Sequence, residues 1–437
     1  MECQNYRPVA ILSPLSKVLE KIVYQQIYDH FTNNKIFDQN LHGYRDNRST
    51  QTALITMYDR WVRAASLGQI SGAIFLDLSA AFDLVDHTLL LKKLQVYGVD
   101  KEFLFWIESY LTDRAQAVWI DHAFSEFLSC SVGVPQGSNL GPLFFLVFFN
   151  DLPSNLKNPA DCFADDTTLT ATGGSIDSIE TSLNKDCEVV SKWMRANKLK
   201  LNPEKTHILK VGTQQRLKTL KPLEVYMDNM LLKEDPSHKE SLLGCQIQGD
   251  LKWQNQVSSL KSRLAQRLNG LRHLRYICTY SVRKMIAEGC FNSVLIYCLP
   301  VFGGLEQYQV KELQVLQNQA ARIVCKAPPR ANRSLLFKKL DWFTVNQLIH
   351  YHSILTLHRV RVTRTPEYLA NILCCDSRNF RIMIPRNQLT LTANSFCYRS
   401  ASVWNQLPFE LRSQGKNSIF KNGLREWIMS NIPSFLD

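Results

Sequence analysis

At 437 residues, with 45% hydrophobic and 10% aromatic content, the chain is too long for one small domain and too apolar for a disordered one. Its most apolar stretch, Leu140 to Phe149, is broken by Gly141-Pro142 and is far too short to span a bilayer. The first residues, with Glu2, Arg7 and Pro8, form no apolar signal segment, so neither a secreted nor a membrane-spanning protein is expected.

The net charge of +12 is unevenly spread: residues 1–180 hold 13 basic against 21 acidic side chains, and residues 181–437 hold 38 against 18. An acidic first half followed by a strongly basic second half points to a polyanion held mainly by the latter. Twelve cysteines without a CxxC pair or a Cys/His ligand spacing argue against a zinc module or a disulfide framework. Reduced thiols in the nucleus or cytoplasm are the expectation.

In chain order, Tyr6 to Leu12 reads as an extended segment, and Ser13-Pro14 opens a helix whose apolar face is Leu15, Val18, Leu19, Ile22, Val23 and Ile27. Leu41 to Arg45 is a Gly-containing turn, and Ser49-Thr50 caps a second helix over roughly 51–66. Gly72 to Leu78 is a short apolar run with one acid, Asp77, near its end, as expected of a buried strand. Helices follow over 86–97, ending at Gly98, and over 101–111; strands are expected over 115–121 and 125–132. Gly133 to Ser138 is a turn cluster before a buried helix that reaches about Asp151.

Cys162-Phe163-Ala164-Asp165-Asp166-Thr167-Thr168-Leu169 reads as a tight β-hairpin with two acids at its turn, and a helix over 176–196 comes after it. Small strands occupy 206–247. From about 253 an apolar stripe, Val257, Leu260, Leu264, Leu268, Leu271, Leu274 and Cys278, predicts a helix interleaved with Lys261, Arg263, Arg267, Arg272 and Arg275. Further helices are expected over 281–297, 309–325 and 341–360, with Ala327 to Ser334 as a linker.

An Asp-Asp pair alone is an expected accident in a chain of about 400 residues. Asp77 at a strand end changes its weight, because three converging carboxylates repel one another unless cations offset them. Hard oxygen ligands suit a divalent metal, and two-metal phosphodiester synthesis needs such a set.

These segments resemble, in order and spacing, the reverse transcriptases of non-LTR (LINE-type) retrotransposons. Phe163-Ala164-Asp165-Asp166 is similar to the F/Y-x-D-D box, Phe75 to Asp83 to the first catalytic motif, and Val134 to Leu143 to the PQG-S-x-LGP motif. Tyr6 to Leu12 and Leu41 to Arg45 resemble finger motifs, and Trp193 with Asn202 to Thr206 resembles the W…N-x-x-K-T motif. Leu242-Leu243-Gly244 through Trp253 resembles the LG…L-W segment, and Val403 to Pro408 the WN-x-LP tail.

The resemblance implies an α/β right-hand polymerase: partial fingers (1–71), an α+β palm (72–250), a helical thumb (251–327) and a basic C-terminal region (335–437). It implies RNA-directed DNA polymerase activity on an RNA template with a DNA primer, or the RNA–DNA hybrid, and dNTPs. Asp77, Asp165 and Asp166 would bind two Mg²⁺, for which Mn²⁺ is a substitute, with the Leu78 carbonyl as an extra ligand. Phe82 would exclude a 2′-hydroxyl, and Gln136 and Gly137 would line the nucleotide pocket. Lys205 would protonate the leaving pyrophosphate. Arg45, and with lower rank Arg7, would clamp triphosphate or template. Lys261, Arg263, Arg267, Arg272 and Arg275 would track the duplex backbone.

Asp83 and His87 read as structural, through hydrogen bonding at a helix start. Relative to the family pattern the chain is expected to be truncated at its N-terminus, without the endonuclease that supplies a primer. Two other readings stay open from the sequence: a non-catalytic nucleic-acid-binding remnant, and a group II intron maturase.

Overall fold

The computed structural model describes residues 9–202, 204–234, 239–376, 378–384 and 390–434. The expectations on Tyr6, Arg7 and Pro8, and on Pro203, lie outside them. The fold separates into two compact units.

The first unit comprises residues 1–46, 71–210 and 220–235. At its centre is a five-stranded sheet: β1 (Ile70–Leu76), β2 (Ala160–Phe163), β3 (Asp166–Gly173), β4 (His207–Val211) and β5 (Lys233–Glu234), in spatial order β5-β4-β1-β3-β2. Only Ile70 and Val211, at the ends of their strands, fall to the second unit. β1 is buried almost throughout, as its apolar run predicts. Gly72 is required there: a Cβ would lie 2.8 Å from Ile179 and 2.9 Å from Leu183, so the helix Ile176–Ala196 sits directly on the strand.

The apolar run Leu140–Phe149 is a helix buried at nearly every position. The helices His87–Val96 and Lys101–Leu111 carry aspartate N-caps at Asp86 and Asp100. Residues 115–129 are not one long strand pair. They form two short ladders, Ala115–Gln116 with Leu128–Ser129 and Trp119–Ile120 with Ala123–Phe124. Trp119 and Phe124 stack in the open at 5.9 Å.

The first helix departs from its expected packing. Pro14–Asn33 forms as predicted, but Leu15, Val18, Leu19 and Ile22 are exposed, and the face is buried only from Val23 and Ile27 onward. Glu20 is buried on the same helix at 1% exposure. Its carboxylate accepts hydrogen bonds from the Tyr110 hydroxyl (3.0 Å) and the Asn139 amide (2.7 Å). Burial, then the Glu20 charge, pushes the Tyr110 phenol up to about 12.

The second unit comprises residues 47–70, 211–219 and 236–437. Helix Gln254–Leu274 buries Val257, Leu260, Leu264, Leu268 and Leu271, the stripe expected from the sequence, and packs against Gln307–Cys325. The helix expected over 281–297 is an α–π–α run, its centre Ala287–Asn292 being π-helical.

The expected domain boundaries do not match this division. Residues 335–437 share one core with 251–327: Gln314 Oε1 accepts from the Val345 amide at 2.8 Å, and Gln317 Nε2 donates to the Phe343 carbonyl at 2.9 Å. Helix Thr50–Ser66, assigned from sequence to the fingers, belongs to this unit as well. Its Gln51 donates to Thr356 (2.6 Å), and its buried Asp59 accepts from the Tyr368 hydroxyl (3.0 Å). The reason is physical: twelve of its residues are buried, far more than a one-sided surface helix needs, so it demands partners on several sides.

Arg399 bridges Ser353 Oγ (3.0 Å) and the Pro300 carbonyl (2.9 Å), and burial lowers its guanidinium to about 10. No helix among the described residues is long and apolar enough to cross a membrane. The described cysteines are free, five of them buried.

Candidate active site

The three aspartates come from neighbouring strands. Ser71 on β1 hydrogen-bonds Thr172 on β3 at 3.1 Å, so the start of one strand meets the end of the other and the two run antiparallel. Asp77 lies as far beyond Ser71 as Asp166 lies before Thr172. The register therefore carries both carboxylates to the same end of the sheet.

β2 and β3 pair antiparallel with Phe163 opposite Asp166, leaving a two-residue loop, Ala164-Asp165. Ala164 adopts φ 58°, a left-handed conformation that a turn of this length usually gives to glycine. Asp77 and Asp165 are half-buried and Asp166 is exposed. No three His, Cys, Asp or Glu side chains among the described residues are gathered closely enough to hold a metal ion as they stand. The donor chemistry nevertheless fits hard divalent cations: carboxylate oxygens, partly open to water, at a shared strand end.

The loop carrying Lys205 is fastened to Asp77. The Asn202 amide donates to the Asp77 carbonyl (3.0 Å), and the Asp77 amide donates to Thr206 Oγ1 (3.3 Å), which itself donates to the Asn202 carbonyl (2.9 Å). Leu78 pairs with Leu201 in a short antiparallel ladder beside it. Lys205, in the intervening turn, is exposed. The N-x-x-K-T spacing thus has a local cause: Asn and Thr bracket the Asp77 backbone, and Lys is carried on the turn between them.

Phe82 lies on a 3₁₀ turn, Ala81–Leu84, half-buried. Its ring stacks on Phe145 at 4.4 Å and meets Tyr44 edge-on at 6.2 Å. One face of the ring packs on the core while the residue keeps some solvent access. Gln136 Nε2 donates to Asp83 Oδ1 at 2.9 Å.

Asp83 therefore does not cap the following helix, contrary to the sequence expectation. That cap is Asp86, whose Oδ1 accepts from the Leu89 amide at 2.9 Å. His87 Nε2 donates to the Gly133 carbonyl at 2.8 Å, tying the helix to the turn before Gln136.

Gly137 has φ 110°, and a Cβ there would lie 2.9 Å from the Ala10 carbonyl oxygen. The close approach expected of a substrate is made by the chain itself, with the Ala10 amide donating to the Gln136 carbonyl at 2.6 Å. Arg45 is also engaged internally. Its Nη1 donates to the Asp38 (2.6 Å) and Leu41 (3.3 Å) carbonyls, and its guanidinium lies over Phe37, with burial lowering its pKa. In this structure Arg45 braces its own turn.

In the second unit the five basic residues of Gln254–Leu274 and its end divide into two sets. Lys261 pairs with Glu312 at 3.0 Å, Arg272 bonds Asn269 and Gln319, and Arg275 donates to the Ala327 carbonyl at 3.3 Å. Arg263 and Arg267 are exposed, and among the described residues neither makes a hydrogen bond or ion pair.

His42 and Asp161 are not among the expected site residues. Both are 2% exposed, and His42 Nε2 lies 3.1 Å from Asp161 Oδ1. A polar residue in an otherwise apolar strand, Ala160-Asp161-Cys162-Phe163, was the signal available for Asp161.

Residues 2–247 match the family described as reverse transcriptase (RNA-dependent DNA polymerase). The chain is 27% identical over 377 residues to the probable RNA-directed DNA polymerase from transposon BS of Drosophila melanogaster, covering 82% of this chain and 40% of that protein. It is 25% identical over 415 residues to the probable RNA-directed DNA polymerase from the X-element of the same organism, covering 90% and 44%. The chain therefore spans less than half the length of these curated relatives. Among solved structures, apo telomerase from Candida tropicalis is similar at 11% identity and a TM-score of 0.44, covering 95% of this chain and 61% of that one.

Proposed function

The chain belongs to the reverse transcriptase (RNA-dependent DNA polymerase) family, of the LINE type, and from that premise we propose that it extends a DNA primer on an RNA template by nucleotidyl transfer from dNTPs. The observation that carries this reading is the register of β1 and β3, which brings Asp77 to the strand end where the Asp165-Asp166 hairpin begins. Asp77, Asp165 and Asp166 would hold two Mg²⁺, beside the Leu78 backbone. Bound there, the cations would lower the cost of deprotonating a 3′-hydroxyl and offset charge on the triphosphate.

The chain's own residues supply the rest. Phe82, braced by Phe145 and Tyr44, presents a rigid edge where a 2′-hydroxyl would collide. Gln136, held by Asp83, fixes the near wall of the nucleotide site. Lys205, exposed on the turn anchored to Asp77, can deliver a proton to the departing pyrophosphate.

Primer extension on poly(rA)/oligo(dT) with Mg²⁺ tests the proposal. Incorporation of dTTP is the expected result. RNA binding that weakens with salt but never leads to incorporation would mean a non-catalytic binding remnant instead, and splicing of an intron RNA would mean a maturase. With an active chain, Phe82→Val should raise incorporation of ribonucleotides relative to deoxynucleotides by about tenfold or more, because removing the ring edge relieves a steric exclusion. Unchanged discrimination would make Phe82 a core aromatic only.

A second prediction concerns the thumb helix. Arg263 and Arg267 are the stripe residues that remain available for phosphate contacts, so Arg263→Ala with Arg267→Ala should weaken template–primer binding. The slope of log K against log salt should fall by about two. The same change at Lys261 and Arg272 should act mainly on stability, since both serve contacts within the unit. An unchanged slope in the first double variant would remove this helix from the nucleic-acid interface.

A further inference from the structure

We propose that the loop Asn40–Gly43 is a clamp that positions the carboxylate hairpin, with His42 and Gly43 as positioning residues; the inference rests on the polymerase reading of Asp165 and Asp166. Three independent contacts carry it. First, the loop adds itself to the outer edge of β2. The Cys162 amide donates to the Asn40 carbonyl (2.9 Å), the His42 amide donates to the Cys162 carbonyl (2.7 Å), and Leu41 forms a parallel bridge with Cys162. Second, the His42 ring contacts the Asp161 carboxylate at 3.1 Å in a site sealed from water, where a polar contact is both strong and costly to break. Third, a Cβ on Gly43 would lie 2.6 Å from the Ala164 nitrogen and 3.3 Å from the Phe163 carbonyl carbon. Gly43 does not have a left-handed φ, so it is needed there for closeness and not for conformational freedom.

What the clamp holds is a turn that resists its own geometry. Ala164 sits at φ 58°, where its Cβ is crowded by the backbone. A strained residue persists when its surroundings over-determine it, and here the backbone at Gly43 closes directly on Ala164. Asp165 and Asp166 follow directly, so relaxation of Ala164 displaces both. Misplacement of a reacting group by about 1 Å can cost about a hundredfold in rate.

The test uses the full chain and two readouts: single-nucleotide extension kinetics, and hydrogen–deuterium exchange of the peptide spanning Phe163 to Thr167. Gly43→Ala should lower kcat about a hundredfold with the KM for dNTP changed less than about threefold, and should speed exchange in the hairpin. His42→Leu, which keeps bulk but removes the contact to Asp161, should lower kcat about tenfold or more and speed the same exchange, whereas His42→Gln, which retains a donor, should stay close to wild type.

Adding Ala164→Gly to His42→Leu should restore most of the lost rate, because glycine is at ease in the left-handed turn and no longer needs the clamp. General packing damage would not be rescued that way. Wild-type kcat and wild-type hairpin exchange in folded Gly43→Ala and His42→Leu would overturn the proposal, as would failure of the Ala164→Gly rescue. If the wild-type chain extends no primer, the polymerase reading fails, and the exchange data still decide whether the clamp exists.

Discussion

Asp165→Ala should reduce primer extension by at least about a hundredfold while leaving thermal stability in EDTA unchanged or slightly raised. The two effects have opposite signs for one reason. Asp165 lies in the two-residue loop between paired Phe163 and Asp166, so its side chain contributes little to the ladder that holds the hairpin. Its carboxylate is a cost without cations, because Asp77 and Asp166 share the same strand end and like charges in a partly desolvated place repel.

With cations the balance reverses: the carboxylate becomes a ligand, and loss of one group that stabilises developing charge typically costs about 10²–10³ in rate. Metal dependence of stability gives a separate readout. Mg²⁺ should raise the wild-type melting temperature by binding the folded state, and the increment should shrink in Asp165→Ala. Extension that survives the substitution, or an undiminished Mg²⁺ increment, would show that the metal site has been assigned to the wrong residues.

The second large effect is on folding. Trp404→Ala should destabilise the second unit by about 3–5 kcal/mol, a large fraction of the total stability of a typical domain. Trp404 is fully buried, its ring 5.8 Å from Phe420 and its Nε1 donating to the Phe380 carbonyl at 2.7 Å. Removing it opens a cavity and orphans that carbonyl together.

The rest of the W-N-x-L-P segment has equally local causes. Asn405 exchanges two hydrogen bonds with the Ile382 backbone, both 2.9 Å; Leu407 is 2% exposed; and Pro408 opens the short helix Phe409–Arg412. Circular dichroism and chemical denaturation of the full chain measure the effect. A loss below about 1 kcal/mol would mean that the pocket collapses around the gap. The segment is thus a structural lock within the second unit, and a nucleic-acid contact is not needed to explain its residues.

Much of the local structure was legible in the sequence because it has local causes. Ile176–Ala196 and Lys101–Leu111 match their expected spans, since Ser175 and Asp100 cap them and the apolar periodicity between is regular. The hairpin at Asp165-Asp166 and the capping Ser49 were visible for the same reason.

The helix Pro14–Asn33 shows where this ends. Periodicity identified a helix and an apolar face, but whether Leu15 or Val23 is covered depends on what lies alongside, and of the expected face only Val23 and Ile27 are buried. The surroundings of Arg45 and Gly137 were equally hidden from the sequence. A motif indicates which residue type stands at a position, while the atoms that come within reach of it, here the Asp38 carbonyl and the Ala10 carbonyl, arrive from elsewhere in the chain.

By itself the sequence determined the type and order of most elements before residue 360, the family, and the three acids on which the proposed chemistry rests, because caps, periodicities and motif spacings act over a few residues. The tertiary structure alone decided that Thr50–Ser66 joins the second unit, that Gln136 is held by Asp83, and that Gly43 presses against Ala164. Those are contacts across long stretches of chain, set by close packing and by the need to satisfy buried polar groups, and neither leaves a mark in any short run of residues.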